Sequence, residues 1–188
     1  YIIYNIYISL FFYQTSEKEG KEIKYGEEVE YQAEIKNVGR SLVEKQTYIN
    51  IIDYIPDNMK PISAEYDTYV LDSETGTFRK ETKTVDLSNK FIAEGETQDT
   101  KADVNLYAGI PMGEKISVKV KAKADLVYEK TDVRNTIIVK GNNIITKTSN
   151  VIKNTILPYN YNPSDPDNPN NPEPDDPFRA PMPDASDF

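Results

Sequence analysis

Apolar and polar residues alternate with a period of two along much of the chain. The alternation is clearest over residues 29–35, where Val29, Tyr31, Ala33 and Ile35 interleave with Glu30, Gln32 and Glu34. Successive side chains of an extended strand point to opposite faces, so this run predicts a strand with one buried and one wetted face. The pattern returns over 116–124, where Ile116, Val118, Val120, Ala122 and Ala124 alternate with Ser117, Lys119, Lys121 and Lys123. A helix would place its apolar residues at a period near 3.6, and no amphipathic segment of that kind stands out. Tyr31, Ile35, Val118 and Val120 are therefore expected to face a core.

Further runs rich in β-branched and aromatic residues predict strands over 46–55, 62–71, 77–85, 100–107, 135–139 and 149–157. The apolar opening over 1–13 suits a buried strand as well. It is shorter than the roughly 18 residues of a spanning helix, and it lacks the basic lead and small-residue cleavage site of a signal peptide. Tyr1 stands where an initiator Met would, so the chain reads as a piece of a longer or processed protein. Between the runs lie Tyr25-Gly26, Val38-Gly39, Pro56-Asp57-Asn58, Ser73-Glu74-Thr75-Gly76, Glu94-Gly95 and Gly141-Asn142-Asn143. Gly and Asn supply positive φ at turns and Pro presets a turn's second residue. Strands at this spacing predict an all-β, antiparallel β-sandwich.

Composition divides the chain in two. Of its 12 prolines, nine lie at or after Pro158, and no glycine follows Gly141. The same segment carries seven carboxylates against Arg179, which accounts for six of the nine net negative charges. The expected domains are a sandwich over 1–157 and a disordered, acidic, proline-rich linker over 158–188, because few apolar groups there offset the entropy of ordering. The sandwich is left near charge balance with Lys and Glu interspersed. It offers no basic stripe, so neither nucleic acid nor a membrane surface is an expected partner.

The chain contains no His, no Cys and no Trp. The commonest zinc, iron and copper ligand sets and the Ser-His-Asp and Cys-His nucleophiles are therefore unavailable. Glu27 and Glu28 are adjacent on a strand and point to opposite faces, so they cannot flank one glycosidic bond. Asp165-Pro166-Asp167-Asn168 opens like a calcium loop, but positions six and twelve are Asn170 and Asp176 rather than the required Gly and Glu. No catalytic residue, cofactor or metal site is expected. The 14 tyrosines are expected mostly in the core and in cross-strand pairs.

Four segments in order carry a family resemblance. Lys24-Tyr25-Gly26-Glu27-Glu28-Val29-Glu30-Tyr31, running on into Asn37-Val38-Gly39, resembles "G-D-x-V-x-Y-x-I-x-V-x-N-x-G". Ile49-Asn50-Ile51-Ile52-Asp53-Tyr54-Ile55-Pro56-Asp57-Asn58-Met59 is similar to "V-x-D-x-L-P-x-G-L", with Asn58 in the glycine position, where it tolerates the left-handed conformation. Ile92-Ala93-Glu94-Gly95-Glu96 resembles "L-x-x-G-E", with an extra segment over 97–115 before the next long strand. Arg134-Asn135-Thr136-Ile137-Ile138-Val139 and Ser149-Asn150 resemble "I-x-N-x-A-x-V" and a closing "S-N", with larger residues in the small position. Together they resemble the conserved-repeat domain, of unknown function, found in bacterial cell-surface proteins.

That resemblance implies an immunoglobulin-like sandwich, export to the bacterial cell surface and use as one of several modules. It implies no chemistry. Asn37, Asp53 and Asn135 are expected to satisfy backbone groups at turns and strand ends. Pilin-like and adhesin sandwiches can also join a buried Lys to an Asn beside a carboxylate in an isopeptide crosslink. Lys24, Lys36, Asn135 and Asn150 are the residues of suitable type, although Lys36 falls on the polar face of its strand. The expected function is a non-catalytic structural spacer whose partners are neighbouring modules. The alternative is an adhesive or carbohydrate-binding module that meets a host or cell-wall ligand through its loops.

Overall fold

The computed structural model describes residues 10–39, 46–88, 104–141 and 144–159. These residues form β1 (Leu10–Thr15), β2 (Glu22–Ile23), β3 (Glu28–Asn37), β4 (Gln46–Tyr54), β5 (Met59–Leu71), β6 (Phe78–Asp86), β7 (Val104–Pro111), β8 (Lys115–Ala124), β9 (Thr131–Gly141), β10 (Lys147–Thr148) and β11 (Ile152–Ile156). The first sheet has the order β1-β3-β8-β5-β6 and the second β2-β11-β9-β4-β7, with β10 on β9. The N-terminal strand is thus shared between the sheets, with β1 in one and β2 in the other. This is an immunoglobulin-like β-sandwich, widened along one side by β6 and β7.

Alternation builds the core as expected. In β3 and β8 the inward residues Tyr31, Ile35, Val118 and Val120 are buried, and Tyr31 pairs with Val120 across the ladder. Ile49, Ile51, Ile110, Ile137 and Ile152 close over them from the second sheet. Each fully buried aliphatic side chain of this size contributes about 1.5–3 kcal/mol over its exposed state. The outward lysines of β8 meet acids on both flanking strands: Lys115 with Glu34 at 2.7 Å, Lys121 with Glu30 at 3.9 Å and Lys119 with Glu65 at 3.7 Å.

Several expectations shift. β5 begins at Met59 and runs through Pro61, which the ladder tolerates because the register slips between Pro61 and Ser63 in a bulge. The strand expected over 100–107 lies at Val104–Pro111 and comes from the extra segment that departs from the family pattern. The short β2 and β10 were not expected. Expectations for 1–9, for Ile92 to Glu96 and for the linker from 160 onward lie outside the described residues. The tyrosines depart most from expectation. Tyr31 and Tyr66 are buried, whereas Tyr48, Tyr107 and Tyr128 expose 72%, 68% and 78% of their surface.

The turns obey backbone sterics. Asn58 sits at φ 65°, the conformation that favours Gly or Asn, and Met59 N donates to Pro56 O at 3.1 Å. Gly26, at φ 76°, donates to Ala124 O at 3.0 Å where β3 begins. Leu10 pairs with Asn37 at the far end of β3, while the Tyr159 ring packs against Tyr25 near its start, with centroids 5.9 Å apart. The described residues therefore begin at one pole and end at the other. β3, with 10 residues, sets their separation at about 30 Å for a rise of ~3.4 Å per residue.

Asp67 extends the β5–β8 ladder beyond its last backbone pair. It accepts from Ser117 N at 3.1 Å and Thr82 Oγ1 at 2.9 Å, and pairs with Lys80 Nζ at 2.8 Å. Partial burial alone would raise its pKa, but the bonds from Lys80, the Ser117 amide and Thr82 together hold it below its ordinary value of 3.8. A depressed folded-state pKa contributes stability above the unfolded value that is lost as pH falls through the folded value. We therefore expect Asp67→Asn to be less stable than the parent at neutral pH, with the gap closing below pH 3.8. Thermal melts of both proteins across that range check it.

Candidate functional site

Polar residues are rare between the two sheets, and four of them, Gln14, Asp53, Asn135 and Ser149, form one network. Gln14 is the inward residue of β1 after Leu10 and Phe12, and it is 2% exposed. Its Nε2 donates to Asn135 Oδ1, and its Oε1 accepts from Ser149 Oγ at 3.0 Å. Asn135, on β9, donates through Nδ2 to Asp53 Oδ1 on β4 at 2.6 Å and to Tyr54 O at 3.4 Å. Ser149 Oγ also accepts from Ile137 N at 3.0 Å. A buried amide left without partners costs about 1–3 kcal/mol, so the network holds β1, β4, β9 and the segment before β11 in one arrangement.

Two more asparagines bind the N-terminal segment, the exposed Asn150 and the buried Asn154. Asn150 Oδ1 accepts from Gln14 N at 2.9 Å while its Nδ2 donates to Gln14 O at 3.0 Å. Its side chain thereby replaces a neighbouring strand on the free edge of β1. Asn154 Nδ2 donates to Lys18 O and, at 3.4 Å, to Lys21 O. Asn37 closes the opposite pole: its Nδ2 donates to Ile110 O at 3.0 Å and Thr47 Oγ1 at 3.2 Å, and its Oδ1 accepts from Gly39 N at 3.1 Å.

The asparagines of the family pattern thus act as structural amides. Asn37 satisfies backbone groups, as expected, whereas Asp53 and Asn135 bond mainly to other side chains. Asn135 and Asn150 converge on Gln14, a residue the sequence reading passed over. The signal was available, because Gln14 is a polar side chain in an inward phase of an apolar strand. Lys24 and Lys36 are exposed. Lys36 pairs with Phe11 and Lys115 on the outer face of the first sheet. Among the described residues, the side-chain bonds of Asn135 and Asn150 run to Gln14, Asp53, Tyr54 and no lysine.

Tyr31 lies beside this network, and among the described residues its buried Oη has no hydrogen-bond partner. Burial, followed by the negative charge of Asp53, raises its pKa far above the ordinary value. The phenol is therefore neutral at all ordinary pH. Among the described residues no group of three or more acidic side chains is placed to hold a metal ion. The cluster contains amides, a hydroxyl, a phenol and one carboxylate. Its chemistry is hydrogen bonding, with no nucleophile paired to a base.

Two substitutions separate satisfied from unsatisfied groups. Asn135→Ala removes the donor to Asp53 and the acceptor for Gln14, so it is expected to cost about 3 kcal/mol or more. Tyr31→Phe removes an unpartnered hydroxyl and is expected to change stability by less than about 1 kcal/mol, or to raise it. Urea unfolding of the two variants measures both.

No protein-family model matches the chain, so the resemblance to the conserved-repeat domain stands on its motifs alone. No curated protein matches it either. Among solved structures it is similar to the N-terminal domain of the Streptococcus gordonii adhesin Sgo0707, with 15% identity, TM-score 0.48, and 78% of this chain and 32% of that one covered. It is similar to the C-terminal domain of the Streptococcus pyogenes antigen I/II-family protein AspA, with 16% identity, TM-score 0.48, and 79% and 46% covered. A third similar structure is the full-length major pilin SpaD of Corynebacterium diphtheriae, with 12% identity, TM-score 0.47, and 77% and 34% covered. The chain spans less than half the length of each.

Proposed function

We propose that the chain is a non-catalytic spacer module of an exported bacterial surface protein, joined to the next module by its acidic proline-rich segment. The observation that carries this reading is the placement of entrance and exit at opposite poles of the sandwich. Modules connected in that way line up and add length. The paired lysines and glutamates of β3, β5 and β8 support it, because they leave the Phe11–Tyr13 pair on β1 as a small apolar area at the edge of a charge-compensated face.

The segment after Tyr159 acts as the connector in this reading. Tyr159 itself is held by its amide bond to Val127 O at 2.7 Å and by the Tyr25 ring. In polyproline geometry, at ~3.1 Å per residue, the remainder spans on the order of tens of Å. Limited trypsin digestion is expected to cut early at Arg179 and leave the melting temperature unchanged. Truncation after Tyr159 is expected to be silent, while truncation after Leu157 loses the ring pair and costs about 1 kcal/mol. A large stability loss after the Tyr159 truncation contradicts the connector role.

One observation favours the adhesive alternative. Tyr48 and Tyr107 lie on the same outer face of the second sheet, because Tyr48 pairs with Gly109 and Asn50 with Tyr107. Exposed rings beside amide and amine groups are suited to stacking on a sugar. A glycan array probed with the protein and with the Tyr48→Ala/Tyr107→Ala double variant decides between the readings. The spacer reading expects no signal in either. A signal lost in the variant establishes the alternative.

A further inference from the structure

The N-terminal segment lies along the C-terminal segment in parallel order. Gln14 meets Ser149 and Asn150, Lys18 meets Asn154, Gly20 meets Lys153, Lys21 meets Asn154 and Thr155, and Ile23 meets Leu157. The backbone part comprises Gly20 N to Lys153 O at 2.7 Å, Thr155 N to Lys21 O at 3.3 Å and Leu157 N to Ile23 O at 2.8 Å. β2 and β11 are correspondingly a parallel pair, with Glu22 opposite Thr155 and Ile23 opposite Ile156. Side chains supply more: two bonds through the Asn150 amide, two through the Asn154 amide and one from the Ser149 hydroxyl.

Parallel neighbours at the two chain ends have a mechanical consequence. Tension pulls the N-terminal segment toward one pole and β11 toward the other, along the strand axes and across the hydrogen bonds. The bonds are then sheared together instead of being peeled one at a time. The distance between the ends cannot grow until this set breaks, whatever happens elsewhere in the sandwich. β6 and β7, on the opposite side of the sheets, lie off that path.

We propose that residues 14–23 and 149–157 form a shear latch that carries tension between the chain ends, with Asn150 and Asn154 as its cross-links. The proposal rests on the spacer reading, in which neighbouring modules pull on both ends. It gives those two asparagines a role beyond folding. Their amides reach the partner's backbone without requiring that the latch strands themselves be long.

Single-molecule force spectroscopy on the full chain tests it. The absence of native Cys makes introduced thiols unique attachment points. Pulled from its two ends, the Asn150→Ala/Asn154→Ala variant loses the four asparagine bonds to the N-terminal segment and keeps the backbone ones. Because forced unfolding follows the unfolding barrier, its rupture force is expected to fall clearly below the parent's. Pulled through Thr82→Cys and Tyr107→Cys on β6 and β7, the same variant is expected to match its parent. The single variants serve if the double one does not fold, and a Val139→Ala core variant controls for general destabilisation. An equal loss in both pulling directions, or no loss end to end, overturns the latch. A parent protein no stronger end to end than across β6 and β7 counts instead against the spacer reading.

Discussion

The constraint on which the rest of this sandwich depends is the bonding of its first strand to its last segment through Gln14. Among the described residues β1 is an edge strand with one neighbour, and its free edge and inner face would otherwise be left with unsatisfied groups. Asn150 covers the edge, while Asn135 and Ser149 take up the side-chain amide. Each bond crosses between parts of the chain more than 120 residues apart. Closing so long a loop costs entropy, and these bonds across it are concentrated at one residue, through its backbone and its side chain.

The other edge is managed by a similar device. Among the described residues β7 has no strand on its outer side, and its Gly109 N donates to Thr68 Oγ1 of β5 at 2.9 Å. Side chains thus blunt strand edges that would otherwise invite pairing with another chain. β6 is the longest free edge and carries Arg79, Lys80, Glu81 and Lys83, whose charges serve the same end.

Period-two alternation made the long strands legible, and β3 and β8 lie within two residues of their expected limits. The positive φ at Asn58 was legible too, because few residue types tolerate it. What the sequence hid depends on partners distant in the chain. β2 spans two residues and exists through its pairing with β11, so no local pattern announces it. Tyr48 and Tyr107 have strand-forming side chains, and only the register of β4 against β7 shows that they face outward. Asn135 and Asn150 stood out as motif residues, but their shared partner Gln14 sat unremarked among the aromatics of the first strand.

The central claim is that the chain ends are tied as firmly as the core, whereas terminal strands commonly fray. Native-state hydrogen exchange at single amides tests this most directly. The amides of Gln14, Gly20 and Leu157, bonded to Asn150, Lys153 and Ile23, are predicted to exchange with the same free energy as the core amides of Tyr31 and Val120. Exchange several kcal/mol easier than the core, through opening of the ends alone, would contradict the account.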